Sequence, residues 1–274
     1  SPPGARRADG AYRQDVAVKL VQPAYLAGRD ALRAALVARF AAERDILAQL
    51  QHPGIARILD AGSTGDGVPY LVMEFVDGLP LTRWCETRGL DLRARVRLLC
   101  RVCEAVEAAH RHLVVHRDLK PANILVDEGG EPHLLDFGIA KLLDETEPGL
   151  TVAGVAPMTP DYASPEQLAG EPVGVASDIW SLGVTMFELA TGRVPFFGES
   201  VTEVAIMVIE CAVPRPSEHR PDLPAAFEQI VMRCLEKRPE RRFASIDANG
   251  DGRISWAEYL AQGRRQFAAL DRDR

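Results

Sequence analysis

The sequence predicts an α+β fold in two lobes, a small lobe of sheet plus one helix and a larger helical lobe, with a cleft between them. Three observations lead there. In the first 78 residues, runs rich in β-branched residues flank a single amphipathic helical stretch. From residue 79 to 245 the apolar residues recur mainly at helical spacing. Within this helical region a pair of long segments of weak period, 113–139 and 140–175, interrupts the helices, and structureless stretches of that length inside a domain are usually functional. A chain of 274 residues is long enough for this layout, and 47% hydrophobic with 26% charged residues is the balance of a folded globular protein.

The elements follow in order. Residues 1–13 are polar and show no clear period. Residues 14–20 (QDVAVKL) alternate as a strand does, and residues 29–50 set Ala and Leu on one face against Arg and Glu on the other. His52, Pro53 and Gly54 end that helix. Strands are expected over 55–61 and 69–76. Helices are expected over 90–112 and 176–191, with weaker ones over 201–211 and 225–235. The tail from 246 to 274 forms a third segment with a short echo, Phe243-Ala244-Ser245-Ile246-Asp247 against Phe267-Ala268-Ala269-Leu270-Asp271.

Composition removes several classes of function. Lys plus Arg number 32 against 39 Asp plus Glu, a net charge of −7, whereas a nucleic-acid surface calls for basic excess. No run approaches the roughly 18 apolar residues of a membrane span, and no basic start precedes an apolar stretch as in a signal peptide. Five cysteines, an odd number at low density, read as reduced thiols in a cytoplasmic setting. Cys100 and Cys103 share a helix with no second pair nearby in sequence, so they are expected in the core rather than on a metal. The proline-rich residues 214–224 read as a loop between helices.

The most informative stretch is His116-Arg117-Asp118-Leu119-Lys120-Pro121-Ala122-Asn123. Asp136-Phe137-Gly138 begins 13 residues after Asn123, and Val16-Ala17-Val18-Lys19 lies upstream, ahead of the first helix. In this order and context the three motifs resemble the protein kinase family over about residues 10–245, most like its bacterial serine/threonine members. The resemblance implies a bilobal kinase-like fold that binds ATP and Mg²⁺ and phosphorylates Ser or Thr of protein substrates.

It also implies roles, residue by residue. Asp118 would accept the hydroxyl proton, and Asn123 and Asp136 would offer hard oxygens to Mg²⁺. Lys19 would contact the α- and β-phosphates, held by Glu43 of the helix over 29–50. Lys120, two residues after Asp118, is the serine/threonine pattern. Met73 would be the gatekeeper, the backbone of Glu74 and Val76 would reach the adenine edge, and Ala17 and Leu125 would sandwich the base. Ser164-Pro165-Glu166 stands where the family has Ala-Pro-Glu, so Glu166 is expected to pair with Arg242. Ser177-Asp178-Ile179-Trp180 matches the helix whose Asp anchors catalytic-loop amides. Arg117 before Asp118 is the arrangement in which a phosphorylated segment supplies counter-charge, with Thr151 as the phosphosite. Thr159 would orient Asp118 and Lys120.

Two features depart from the pattern. Ser1–Arg13 holds no G-x-G-x-x-G, and residues 1–7 stand in the place of about two strands that close over the phosphates. The resemblance then implies that this chain transfers phosphate poorly or not at all.

The second is the tail. Asp247, Asn249, Asp251, Gly252 and Glu258 fit D-x-[DN]-x-[DN]-G-x₅-E without mismatch. This resembles an EF-hand loop, with Asp247, Asn249, Asp251 and Glu258 giving side-chain oxygens, Arg253 a carbonyl, and Gly252 the sharp turn. Residues 257–270 would be the exiting helix, and 271–274 look like the start of a second loop. The leading expectation is an ATP-dependent kinase with a Ca²⁺-binding appendage. The alternatives are a non-catalytic pseudokinase scaffold and a calcium-dependent interaction module.

Overall fold

The computed structural model describes residues 5–9, 12–20, 50–65, 68–137 and 160–243. The helix expected over 29–50, the glycine of Asp136-Phe137-Gly138, Thr151, Thr159 and the whole calcium loop lie outside the described residues.

Strands β1 (Ala5–Asp9), β2 (Tyr12–Leu20), β3 (Ile58–Ser63) and β4 (Pro69–Glu74) form an antiparallel sheet in the order β1-β2-β4-β3. On β4 alternate residues are buried, as its period-2 pattern requires, with Leu71 and Met73 facing inward. β1 corrects the expectation that the chain carries no strand ahead of residue 14. Its sequence, ARRAD, has no apolar alternation to betray it. The strand exists through backbone pairing, in register from Ala5↔Val16 to Asp9↔Tyr12, across a connection of two residues.

β5 (Gly78–Pro80) and helix α1 (Leu81–Thr87) follow, then α2 (Leu92–Arg111), whose N-terminus is capped by Asp91 accepting from Ala94 N–H at 2.7 Å. The segment 113–139, expected to lack regular structure, contains β6 (Ile124–Asp127) and β7 (Pro132–Leu134), which join β5 in a second antiparallel sheet, β5-β6-β7. The remaining helices are α3 (Pro165–Ala169), α4 (Val175–Thr191), α5 (Val201–Glu210), α6 (Pro216–His219), α7 (Ala225–Cys234) and α8 (Pro239–Phe243). The protein is thus a bilobal α+β fold, a small sheet lobe and a larger helical lobe.

α4 is buried almost all round and forms the axis of the helical lobe. Gly183 lets α7 approach it: a Cβ there would stand 2.5 Å from Cys234 Cβ. All five cysteines are free thiols, and Cys103 is buried while Cys100 is half-buried. Burial raises the Cys103 thiol well above its ordinary pKa, so it behaves as core. No helix among the described residues is long and apolar enough to cross a membrane.

The two lobes are tied by backbone. Ala56 N–H donates to Leu134 O at 3.0 Å and Leu134 N–H to Gly54 O at 2.8 Å, seating residues 54–56 on β7. Just past α2, Leu113 adopts φ +60° and is 91% exposed. The left-handed conformation costs a non-glycine residue about 1–2 kcal/mol. Glycine's extra freedom in the unfolded chain costs about 0.5–1 kcal/mol, less than the strain relieved. Leu113→Gly is therefore expected to raise stability by up to about 1 kcal/mol, read as a higher urea midpoint at unchanged m-value; a lower midpoint would refute it.

Candidate active site

A bend after α2 builds the site. Arg117 is at φ +66° and Asp136 at φ +54°, conformations that cost a side-chain-bearing residue about 1–3 kcal/mol each and persist only where surroundings enforce them. At Arg117 the enforcing group is Asp178, in the first turn of α4 and fully buried. Its Oδ2 accepts from His116 N–H at 2.8 Å and its Oδ1 from Arg117 N–H at 2.8 Å. His110 of α2 adds a third donor, Nε2 to Oδ2 at 2.7 Å. The anchoring expected of Asp178 is present, and it spends the carboxylate's acceptors on amides that would otherwise be buried without partners.

His116 joins this loop to the next motif. Its Nε2–H donates to Leu135 O at 2.8 Å, its Nδ1 accepts from Asp118 N–H at 3.3 Å, and its ring lies 4.8 Å from that of Phe137. Burial lowers the imidazole's pKa against the opposing pull of Asp178, and the neutral ring matches this pair of bonds. Leu135 N–H donates to Asn123 O at 2.9 Å, completing the tie between the two segments.

The loop so held gathers Asp118, Lys120 and Asn123. Asp118 Oδ2 accepts from Asn123 Nδ2 at 2.9 Å and lies 3.0 Å from Lys120 Nζ. Asn123 Nδ2 also donates to Asp118 O at 2.8 Å, so the amide nitrogen is committed to Asp118. Lys19 of β2 lies with its Nζ 3.1 Å from Asp136 Oδ1. The sequence assigned Lys19 to Glu43, which is outside the described residues; the partner the structure gives it is Asp136.

On the sheet side, Ala17 and Met73 are cross-strand partners of β2 and β4. Met73 is buried, and Ala17 packs half-buried against the same core. Leu125 is half-buried on β6. Glu74 N–H donates to Arg57 O at 2.9 Å and its carboxylate pairs with Arg57 Nε at 3.3 Å, which draws its side chain onto Arg57; Val76 is half-buried beyond it.

Two contributors were not read from the sequence. His110 fell inside an ordinary amphipathic helix, and Gln167 Nε2, which donates to Arg117 O at 2.8 Å, fell in a short helix with no periodic signal. Gln167 belongs to α3, whose Ser164 forms a capping box with it. Glu166 of the same turn receives Arg242 through Nη1 at 2.7 Å and Nη2 at 2.9 Å, the pairing expected from sequence, and Ser177 Oγ–H at 2.6 Å.

The donor set fits a magnesium nucleotide. Asn123 and Asp136 offer hard oxygens, and two lysines at Asp136 and Asp118 supply positive charge for phosphate oxygens. Among the described residues no group of three or more His, Cys, Asp or Glu is gathered as a metal cluster.

Comparison with known proteins agrees with this geometry. The sequence matches the protein kinase domain over residues 8–250. It is 41% identical over 236 residues to the serine/threonine-protein kinase Pkn1 of Myxococcus xanthus, covering 84% of this chain and 34% of that protein. It is 38% identical over 235 residues to the serine/threonine-protein kinase PknB of Mycolicibacterium smegmatis, covering 84% and 37%. Against the serine/threonine-protein kinase PkaA of Streptomyces coelicolor it is 38% identical over 259 residues, covering 93% and 43%. The chain thus spans between about a third and two fifths of the length of these curated relatives, always less than half.

Proposed function

The chain belongs to the protein kinase domain family, and from that membership we propose that it transfers the γ-phosphoryl group of ATP to serine or threonine hydroxyls of protein substrates. The observation that carries the reading is the assembly of Asp118, Lys120 and Asn123 on a loop pinned by Asp178, beside the Lys19–Asp136 pair.

In this reading Asp118 orients the attacking hydroxyl and takes its proton at a carboxylate oxygen. Lys120 offsets negative charge beside that carboxylate. Asn123 and Asp136 hold Mg²⁺, and Lys19 leaves Asp136 to meet the α- and β-phosphates, with Glu43 as its second anchor. Bound with ATP, Mg²⁺ neutralises charge on the transferring group. Ala17, Met73 and Leu125 enclose the adenine, with backbone groups of Glu74 and Val76 at its edge. Thr151 is the hydroxyl whose phosphorylation would pair with Arg117. The five free thiols support a reducing, cytoplasmic setting.

Binding is tested by thermal unfolding with ATP, with and without Mg²⁺. At a ligand concentration of about 100 Kd the native state should gain about 2.7 kcal/mol. That gain should need Mg²⁺ and disappear in Asp136→Asn. A shift indifferent to Mg²⁺ would sink the assignment of Asn123 and Asp136.

A second activity is supported by a separate sequence observation, the unbroken match at 247–258. We propose that Asp247, Asn249, Asp251, the Arg253 carbonyl and Glu258 bind one Ca²⁺. Three carboxylates face the ion, and Glu258 can bind through two oxygens. Titration calorimetry should show a single weak site that is lost in Glu258→Gln; undiminished heat in that variant would remove the site.

A further inference from the structure

Sequence and burial disagree at helix α5. Its sequence, VTEVAIMVIE, is apolar nearly all round, a composition that belongs to a covered helix. Yet only Val204 and Val208 are buried, while Val201, Ile206 and Ile209 are 57%, 50% and 41% exposed. At helical spacing Val201, Ala205 and Ile209 form one row with Ile206 beside it, and Glu203 and Glu210 stand together along the far edge. Phe197, just ahead of the helix, is 78% exposed. An exposed apolar strip of this kind marks a docking surface.

We propose that this face seats the chain's own C-terminal segment, residues 256–270, when calcium fills the loop at 247–258. The inference rests on the calcium reading above. Three observations select this occupant. Trp256, Leu260, Phe267 and Leu270 recur at spacings of 4, 7 and 3, which on a helix puts all four on one face. Arg264, at the edge of that face on a helix, is complementary in charge to Glu203 and Glu210.

The third observation is reach. Lys237 Nζ donates to Met207 O at 3.4 Å and to Val208 O, and its ammonium lies 4.4 Å from the Phe196 ring centroid, so the chain at Lys237 touches the C-terminal end of α5. Arg242 Nη2 donates back to Lys237 O at 3.0 Å, which keeps the end of α8 close by. With the loop at 247–258 wrapped around Ca²⁺, the four steps from residue 243 to residue 247 can still span up to about 14 Å, close to the length of about 15 Å for α5.

The test is hydrogen exchange on residues 201–210 of the 274-residue chain, with and without Ca²⁺, at several protein concentrations and with calorimetry on the same samples. Ca²⁺ should slow exchange on α5 at least tenfold, independently of protein concentration. The protection should vanish in Phe267→Ser and in Ile206→Ser/Ile209→Ser, while both variants still give the calorimetric heat of Ca²⁺ binding. Heat of binding with unchanged α5 exchange would overturn the docking and leave the calcium site standing. Protection that grows with protein concentration would assign the face to a second copy and overturn it too. Absence of any heat would remove the calcium reading and this inference together.

Discussion

Arg242→Ala is expected to lower unfolding free energy by about 3–5 kcal/mol, the cost of leaving a buried charge without its partner. All five guanidinium N–H groups are used, on Glu166 Oε1 and Oε2 and on the carbonyls of Ala176, Glu236 and Lys237. The group also stacks over Trp180 with its carbon 5.1 Å from the ring centroid. Arg242 is fully buried and Glu166 is 3% exposed, so water cannot replace the lost bonds. For a domain of this size the midpoint of thermal unfolding should fall by roughly 6–20 °C. Arg242→Lys should cost nearly as much, because one ammonium cannot meet five acceptors.

The same pair sets an acid limit. Burial opposes ionisation of Glu166, but Arg242 and the Ser177 hydroxyl outweigh it, so its folded pKa lies below the ordinary glutamate value. Its contribution is fully present above that ordinary value and is lost as pH falls through the lower folded one. Stability measured across this window should fall with acidity in the native chain and fall less in Glu166→Gln. A midpoint for Arg242→Ala within about 2 °C of the native one would refute the role given to the pair.

Asp118→Asn is expected to reduce phosphoryl transfer by about 10²–10⁴-fold, the usual worth of a positioned proton acceptor. The substitution is nearly isosteric. The amide oxygen can still accept from Asn123 Nδ2, and Asp178 still holds the loop through the amides of His116 and Arg117. Unfolding should therefore change by less than about 1 kcal/mol, and Mg²⁺-dependent binding of ATP should persist. What is lost is the charge that faces Lys120 and, in the proposed reading, the group that takes the hydroxyl proton. A variant that binds ATP normally and turns over within about threefold of the native chain would show that Asp118 is not that group.

How much of this was legible in the sequence depends on the kind of signal. α2 and α4 were readable to within two residues because long amphipathic or apolar helices repeat one pattern many times. Asp178 and Glu166–Arg242 were readable through the resemblance to the kinase family, whose matching motifs imply the partner of each. The sheet β5-β6-β7 was not, since strands of three or four residues are too short to show a period, and β5 pairs with β6 across 45 to 49 residues. β1 was hidden for another reason, its polar composition. His110 and Gln167 act through contacts 68 and 50 residues away in sequence, which no local pattern encodes. Lys19 shows a further limit: the sequence identified it as a cation of the site but not that Asp136 holds it at 3.1 Å.

The central claim is that this cleft carries phosphate from ATP to serine or threonine. The most direct measurement follows label from γ-labelled ATP onto a generic protein acceptor with Mg²⁺, and then identifies the labelled amino acid. The account predicts accumulation on serine or threonine at least about a hundredfold faster than in Asp118→Asn. Label on tyrosine, equal label in both chains, or none above the Asp118→Asn background from a sample that binds Mg²⁺ and ATP would contradict it.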